Sequence, residues 1–175
     1  MLNASQWTGL LMIALAGLAC FSARKRSPWL LLTMLHAILL TEMLVETRYR
    51  LHDLVNAQLL AVGLYQQRSG SQIILLAGLA VAALIVAMIV IRTRRPAARV
   101  GLLSSGGLAL LFLVEMVSLH DIDAFLYQTI GPIHLIAWLW VLLCLVTLAA
   151  SRLDKTGSPI KGKRRRSSRV RQKRR

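Results

Sequence analysis

Two short stretches hold the residue types that could do chemistry. Thr41 to Asp53 (TEMLVETRYRLHD) carries two glutamates, two arginines, a histidine and an aspartate, and it closes a hydrophobic run. Glu115 to Asp123 (EMVSLHDID) repeats that vocabulary at the end of another run. Carboxylates beside imidazoles suit proton transfer, ion pairing or metal ligation. A carboxylate inside a membrane costs about 2.5–3.5 kcal/mol on insertion scales, so it faces a bundle interior with a partner unless it lies near a helix end and reaches water. Glu42 and Glu115 are each placed about one turn inside an apolar segment. Were the helix to continue past Val45, Glu42, Glu46, Tyr49 and Asp53 would share one face, and Glu46 and Arg50 would have the favourable i, i+4 order for an ion pair.

The candidate polar pocket is therefore Glu42, Glu46, Arg50, His52, Asp53, Glu115, His120, Asp121, Asp123 and His134. His52, His120, His134 and Glu115 are its weak metal candidates. No HExxH, Walker or dinucleotide motif and no GxSxG occurs, so nothing assigns a catalytic residue. No cofactor is expected; a metal ion or a haem held by facing histidines is the alternative. The competing view makes the same charges boundary anchors and structural pairs. His36 stands apart, in the middle of its run.

The elements that must position these residues are membrane helices. The chain has 175 residues, 56% hydrophobic, with mean hydropathy +0.59. Its apolar residues are gathered in runs, as membrane spans require. Five spans are expected, at about 6–22, 28–46, 72–91, 101–119 and 133–150. Pro28 fits the first turn of the second, and Pro132 is expected to open the fifth. Residues 47–68 mix leucine and valine with asparagine and glutamine, which predicts an amphipathic segment in the interface or a continuation of the second helix. Ser104, Leu108, Leu111, Glu115 and Ser118 fall on one face of the fourth span. His120 to Gly131 is expected to be a short acidic connector. Met1 to Trp7 has no Lys or Arg, so the first run is expected to be a retained helix and not a signal peptide. Cys20 and Cys144 lie inside apolar runs without CxxC spacing and are expected to be buried apolar residues.

The fold class expected is an all-α integral membrane protein, a bundle of about five transmembrane helices with an amphipathic outer-side segment. Residues 1–152 form the membrane domain and 153–175 a basic, disordered tail.

Net charge is +15, from 22 Lys and Arg against 7 Asp and Glu. Arg24, Lys25 and Arg26 follow the first span, Arg92, Arg94, Arg95 and Arg99 the third, and the basic tail the fifth. The positive-inside rule then places the N-terminus outside and the C-terminus in the cytoplasm of a bacterial inner membrane. The polar stretches fall on the non-cytoplasmic side. The tail residues Lys161, Lys163, Arg164, Arg165 and Arg166 would contact anionic headgroups of the bilayer. The tail lacks interleaved aromatics, which argues against nucleic acid.

Leu51-His52-Asp53-Leu54 recurs as Leu119-His120-Asp121-Ile122, and Leu64-Tyr65-Gln66 as Leu126-Tyr127-Gln128, so a duplicated helix–connector–helix unit is also considered. Two function classes follow. One is a non-enzymatic membrane component, a small carrier or an accessory subunit working with other membrane subunits. The other is a membrane enzyme or a metal- or haem-binding protein using the outer Glu/His/Asp cluster.

Overall fold

The structure is a computed structural model describing residues 3–63, 68–117 and 120–156. The helices are α1 (Ala4–Ser22), α2 (Trp29–Val45), α3 (Thr47–Ala61), α4 (Arg68–Ile91), α5 (Pro96–Val117), α6 (His120–Leu126) and α7 (Leu135–Thr156). Between α6 and α7 lies a two-stranded antiparallel hairpin, β1 (Thr129–Ile130) and β2 (Ile133–His134), with Thr129 opposite His134. Within α1, α4, α5 and α7 are spans long and apolar enough to cross a membrane; α2, at 17 residues, is shorter. Helices suit that role because each satisfies its own backbone hydrogen bonds. Large apolar side chains such as Leu11, Leu31, Ile74 and Leu142 are exposed around the outside, an arrangement that suits lipid and not water.

The packed bundle is α1, α2, α5 and α7, with α7 against both α1 and α5. Its core includes Ile13, Met43, Leu108, Ile136 and Trp140. Close approach depends on glycines at two levels. A Cβ on Gly9 would stand 2.6 Å from Met43 and Trp140, and one on Gly101 would stand 2.7 Å from the Trp29 ring. Small residues at such crossings allow helix backbones to come together. Polar groups join α5 to α7 inside the bundle: Ser104 Oγ lies 2.8 Å and Ser105 Oγ 3.3 Å from Thr147 Oγ1. In contrast, α4 leans on α5 and is otherwise nearly uncovered.

The two arginine-bearing turns meet at one end of the bundle. Arg95 Nη1 donates to the carbonyl of Ser27 at 3.2 Å. The end of α7 joins them, because Trp29 Nε1 donates to Asp154 Oδ2 at 2.8 Å and Arg26 to the Asp154 carbonyl.

The structure corrects several expectations. The second helix does not continue past Val45. Glu46 adopts a left-handed backbone (φ 55°), ending α2 and starting α3 as a separate helix. Glu42, Glu46 and Asp53 therefore share no continuous helical face. The acidic connector after α5 holds a short helix, and a hairpin follows it. Pro132 lies in the hairpin turn beside Gly131 (φ 68°), and the last helix begins at Leu135. That helix runs on to Thr156 because Ser151 is buried in the bundle and Asp154 is bonded to Trp29. Asn3 is the N-cap of α1, in a reciprocal capping box with Gln6. Cys20 and Cys144 are buried free thiols, as their setting in the sequence implied.

Candidate functional site

The end of the bundle opposite the basic turns gathers polar groups from five elements. Glu115 sits in the last turn of α5, with 6% of its surface exposed. Its Oε1 accepts a 2.7 Å hydrogen bond from the Tyr127 hydroxyl. Tyr127 can reach back twelve residues because α6 reverses the chain; its own N–H donates to the Asp123 carbonyl at 2.9 Å. The His134 ring lies edge-on to Tyr127, with centroids 5.7 Å apart. The hairpin holds that pair: Leu135 N–H donates to the Gln128 carbonyl, and Trp138 Nε1 donates to the Ile130 carbonyl.

The first turn of α1 ties this cluster to the α2–α3 elbow. Ser5 Oγ accepts the His134 N–H at 3.0 Å. One residue on, Gln6 Nε2 donates to Glu46 Oε1 at 3.2 Å. The Glu46 carboxylate is thus held across the bundle by α1, and among the described residues no Glu46–Arg50 ion pair forms. A non-glycine residue in the left-handed region costs on the order of 1–3 kcal/mol, and such positions concentrate at functional sites.

The other sequence candidates divide. Glu42 lines a surface notch of about 340 Å³ with Ala37, Ile38, Thr41 and Thr47. Arg50 and Asp53 are exposed on α3, and Asp123 is half-buried on α6. The side chains of His52, His120 and Asp121 lie outside what the structure describes, as do Lys161, Lys163, Arg164, Arg165 and Arg166 of the tail and Ser118 of the fourth span. The second repeat word, in its first copy at 64–66, also lies outside. Ser5, Gln6 and Tyr127 are the participants that sequence reasoning missed. A tyrosine twelve residues after an intramembrane glutamate was the one available signal, and it carries weight only once the chain is known to reverse between them.

Chemically, the cluster presents a buried carboxylate hydrogen-bonded to a phenol, with an imidazole against the phenol. It can accept a proton or receive a hydrogen-bond donor or cation from outside. His134 Nδ1 is buried with no hydrogen-bond partner among the described residues. Among those residues, no three of His, Cys, Asp and Glu converge as metal ligands would. Below the cluster the bundle is filled. Phe112 stacks on Trp140 at 5.7 Å, beside Leu108, and this plug separates Glu115 from the Ser104–Thr147 contact further in. Glu115 and Ser105 are about ten helical steps apart on α5, or about 15 Å of helix.

His36 is inside the bundle, 1% exposed, with its ring Nδ1 2.8 Å from the Leu32 carbonyl. A carbonyl only accepts, so the proton is on Nδ1, and Nε2 has no partner among the described residues. His36 therefore belongs to the interior of the bundle and not to the outer cluster. No known protein family, curated protein or solved structure matches the chain.

Proposed function

We propose that the chain is a non-enzymatic, multi-pass protein of the bacterial inner membrane, an accessory subunit that presents a shallow polar pocket on the non-cytoplasmic side. The N-terminus lies outside and the C-terminus in the cytoplasm, as the arginine-bearing turns favour. The observation that supports the reading is the polar cluster at the end of the bundle. Glu115 and Tyr127 are joined by a hydrogen bond, His134 lies edge-on to Tyr127, and the Phe112–Trp140 stack lies beneath them. A carrier needs alternating access through the bundle, with polar groups along the route. Here an apolar plug separates the two polar levels, which favours a docking surface over a transport path. The left-handed Glu46, held by Gln6, adds a second fixed carboxylate beside that surface.

The experiment is native electrophoresis of gently solubilised membranes with the chain expressed at its natural level. The reading expects a discrete complex containing another membrane protein. It further expects Tyr127→Phe and Glu115→Gln to release the chain from that complex while leaving its membrane abundance unchanged. Migration alone in every mild detergent would overturn it.

The competing reading is a metal- or haem-binding enzyme, and His134 Nδ1 is the atom that favours it. Metal analysis and a visible spectrum of the gently purified protein separate the two. A stoichiometric metal that is lost in His134→Ala would replace the docking surface with a metal centre.

A further inference from the structure

The α4–α5 pair leaves a groove that the outer pocket does not explain. It encloses about 370 Å³ between Leu79, Ala83, Val90, Leu103, Gly106 and Leu113. The small residues Ala83 and Gly106 hollow it out; a Cβ on Gly106 would meet nothing within 4 Å. The groove's extent is informative. Leu79 to Val90 on α4, and Leu102 to Leu113 on α5, each span eleven helical steps, about 16 Å. Half of a ~30 Å hydrocarbon core is about 15 Å, the depth of one leaflet. Toward the far end the two helices are joined, where Gln72 Nε2 donates to the Val117 carbonyl at 3.0 Å. The groove therefore does not run the length of α4, as a partner's spanning helix would require. It has the length of an acyl chain entering from the end where Val90 and Leu102 lie.

That end carries the charge that selects the occupant. Arg92 and Arg94 are exposed in the turn directly after Val90. Arg95 is held over the neighbouring turn by the Ser27 carbonyl, beside Arg24, Lys25 and Arg26. Arg99 is anchored by the Thr93 carbonyl at 2.9 Å, and its Nε has no partner among the described residues. No acidic residue occurs from Ile73 to Val114. The described carboxylate at this end of the bundle is Asp154, which accepts from Trp29. Basic pockets between membrane helices recruit anionic headgroups.

We propose that the α4–α5 groove binds one anionic glycerophospholipid, with an acyl chain along Ala83 and Gly106 and its phosphate at Arg92 and Arg94. The site rests on the chain being embedded in a membrane, and it is independent of the outer pocket and of any partner subunit.

Native mass spectrometry of the full chain in detergent, titrated with phosphatidylglycerol, tests it. The expected result is a saturable one-lipid adduct that phosphatidylcholine forms at least ~10-fold more weakly. Arg92→Gln with Arg94→Gln, on an exposed turn, should weaken the adduct by roughly 30-fold, at about a fivefold loss per arginine. Ala83→Leu with Gly106→Leu should abolish the adduct with every charge retained. Arg24→Gln with Lys25→Gln, an equal charge change at the same end, should leave it within about 2-fold. Glycerol phosphate, which has the headgroup chemistry without chains, should not compete. Loss in the Arg24/Lys25 variant equal to that in the Arg92/Arg94 variant would overturn the site in favour of diffuse surface charge. Competition by glycerol phosphate, or retention of the adduct in a folded groove-filled variant, would overturn the acyl-chain groove. Should the groove-filled variant fold poorly, quenching of a Trp placed at Leu103 by phosphatidylglycerol brominated in its chains decides the same point: strong quenching supports the groove, and quenching no greater than with brominated phosphatidylcholine overturns it.

Discussion

Replacing Tyr127 with Phe removes one hydroxyl and tests the organisation of the outer cluster directly. That hydroxyl donates to Glu115 Oε1 at 2.7 Å, a short distance of the kind charge-assisted bonds make. Bonds to charged groups contribute about 1.5–3 kcal/mol, and neutral ones about 0.5–1.5 kcal/mol. Glu115 is 6% exposed, which favours the upper part of the range, but Tyr127 is 38% exposed, so water can partly replace the lost donor. The expected loss in Tyr127→Phe is therefore about 1.5 kcal/mol, a little over tenfold in the unfolding equilibrium. Glu115→Gln keeps the shape and an acceptor oxygen while removing the charge, so Tyr127→Phe in that background should cost only about 0.5 kcal/mol. The coupling energy of the cycle is then about 1 kcal/mol, above the ~0.3–0.5 kcal/mol within which independent sites add.

The assay is denaturant unfolding in mild micelles, followed by tryptophan fluorescence. Trp138 and Trp140 lie on the helix that carries the floor of the cluster, so the signal reports on it. Additivity of the two substitutions would refute the claim that Tyr127 and Glu115 act as a unit. A cost above about 4 kcal/mol for Tyr127→Phe would refute it differently, since one half-exposed hydroxyl cannot supply that much. It would mean that Tyr127 holds the hairpin by packing.

Three further perturbations probe the frame. Gly101→Ala should destabilise by about 1–3 kcal/mol, because its Cβ would stand 2.7 Å from a fully buried Trp29 whose indole is fixed on Asp154, whereas Gly78→Ala on α4 meets nothing within 4 Å and should be neutral or stabilising by the same unfolding measurement. Glu46→Gly should be more stable than Glu46→Ala by about 1 kcal/mol, the reverse of their helix propensities, because the position is left-handed; equal stabilities would mean that α2 and α3 run on as one helix. Cys20 and Cys144 are buried and should resist maleimides in the folded protein, so cysteines introduced at Asp53 and Arg94 can report sidedness: Asp53→Cys should react with an impermeant reagent in intact cells and Arg94→Cys only after permeabilisation, and the opposite pattern would invert the proposed orientation.

Depth was legible in the sequence; direction around the bundle was not. Apolar run length and the basic residues Arg24, Lys25, Arg26, Arg92, Arg94 and Arg95 mark where segments begin and end, and the structure brings those two turns together through Arg95 and Ser27. Breaks without glycine or proline leave no such mark. Nothing at Val45-Glu46-Thr47 chooses between a continued helix and a new one, and the left-handed Glu46, held from α1 by Gln6, separates α2 from α3. The end of α7 was hidden for a related reason. Ser151 and Asp154 read as the start of a polar tail, while in the fold one is buried against the bundle and the other receives Trp29 from a helix 125 residues earlier.

The candidate site shows the same division. Glu115 and His134 were legible as polar residues at the margins of apolar runs. Their common partner Tyr127 was not, since nothing in local spacing reports that α6 and the β1–β2 hairpin return the chain over Glu115. Small residues had the opposite ambiguity. Gly101 and Gly106 are indistinguishable by pattern, five residues apart on α5, yet one admits the Trp29 ring and the other lines an open groove. A glycine in a membrane helix thus marks close approach without naming what approaches. At Gly101 it is another helix of this chain. At Gly106 the neighbouring helix stands back, and the charge of the adjoining turn is what narrows the occupant to an anionic lipid.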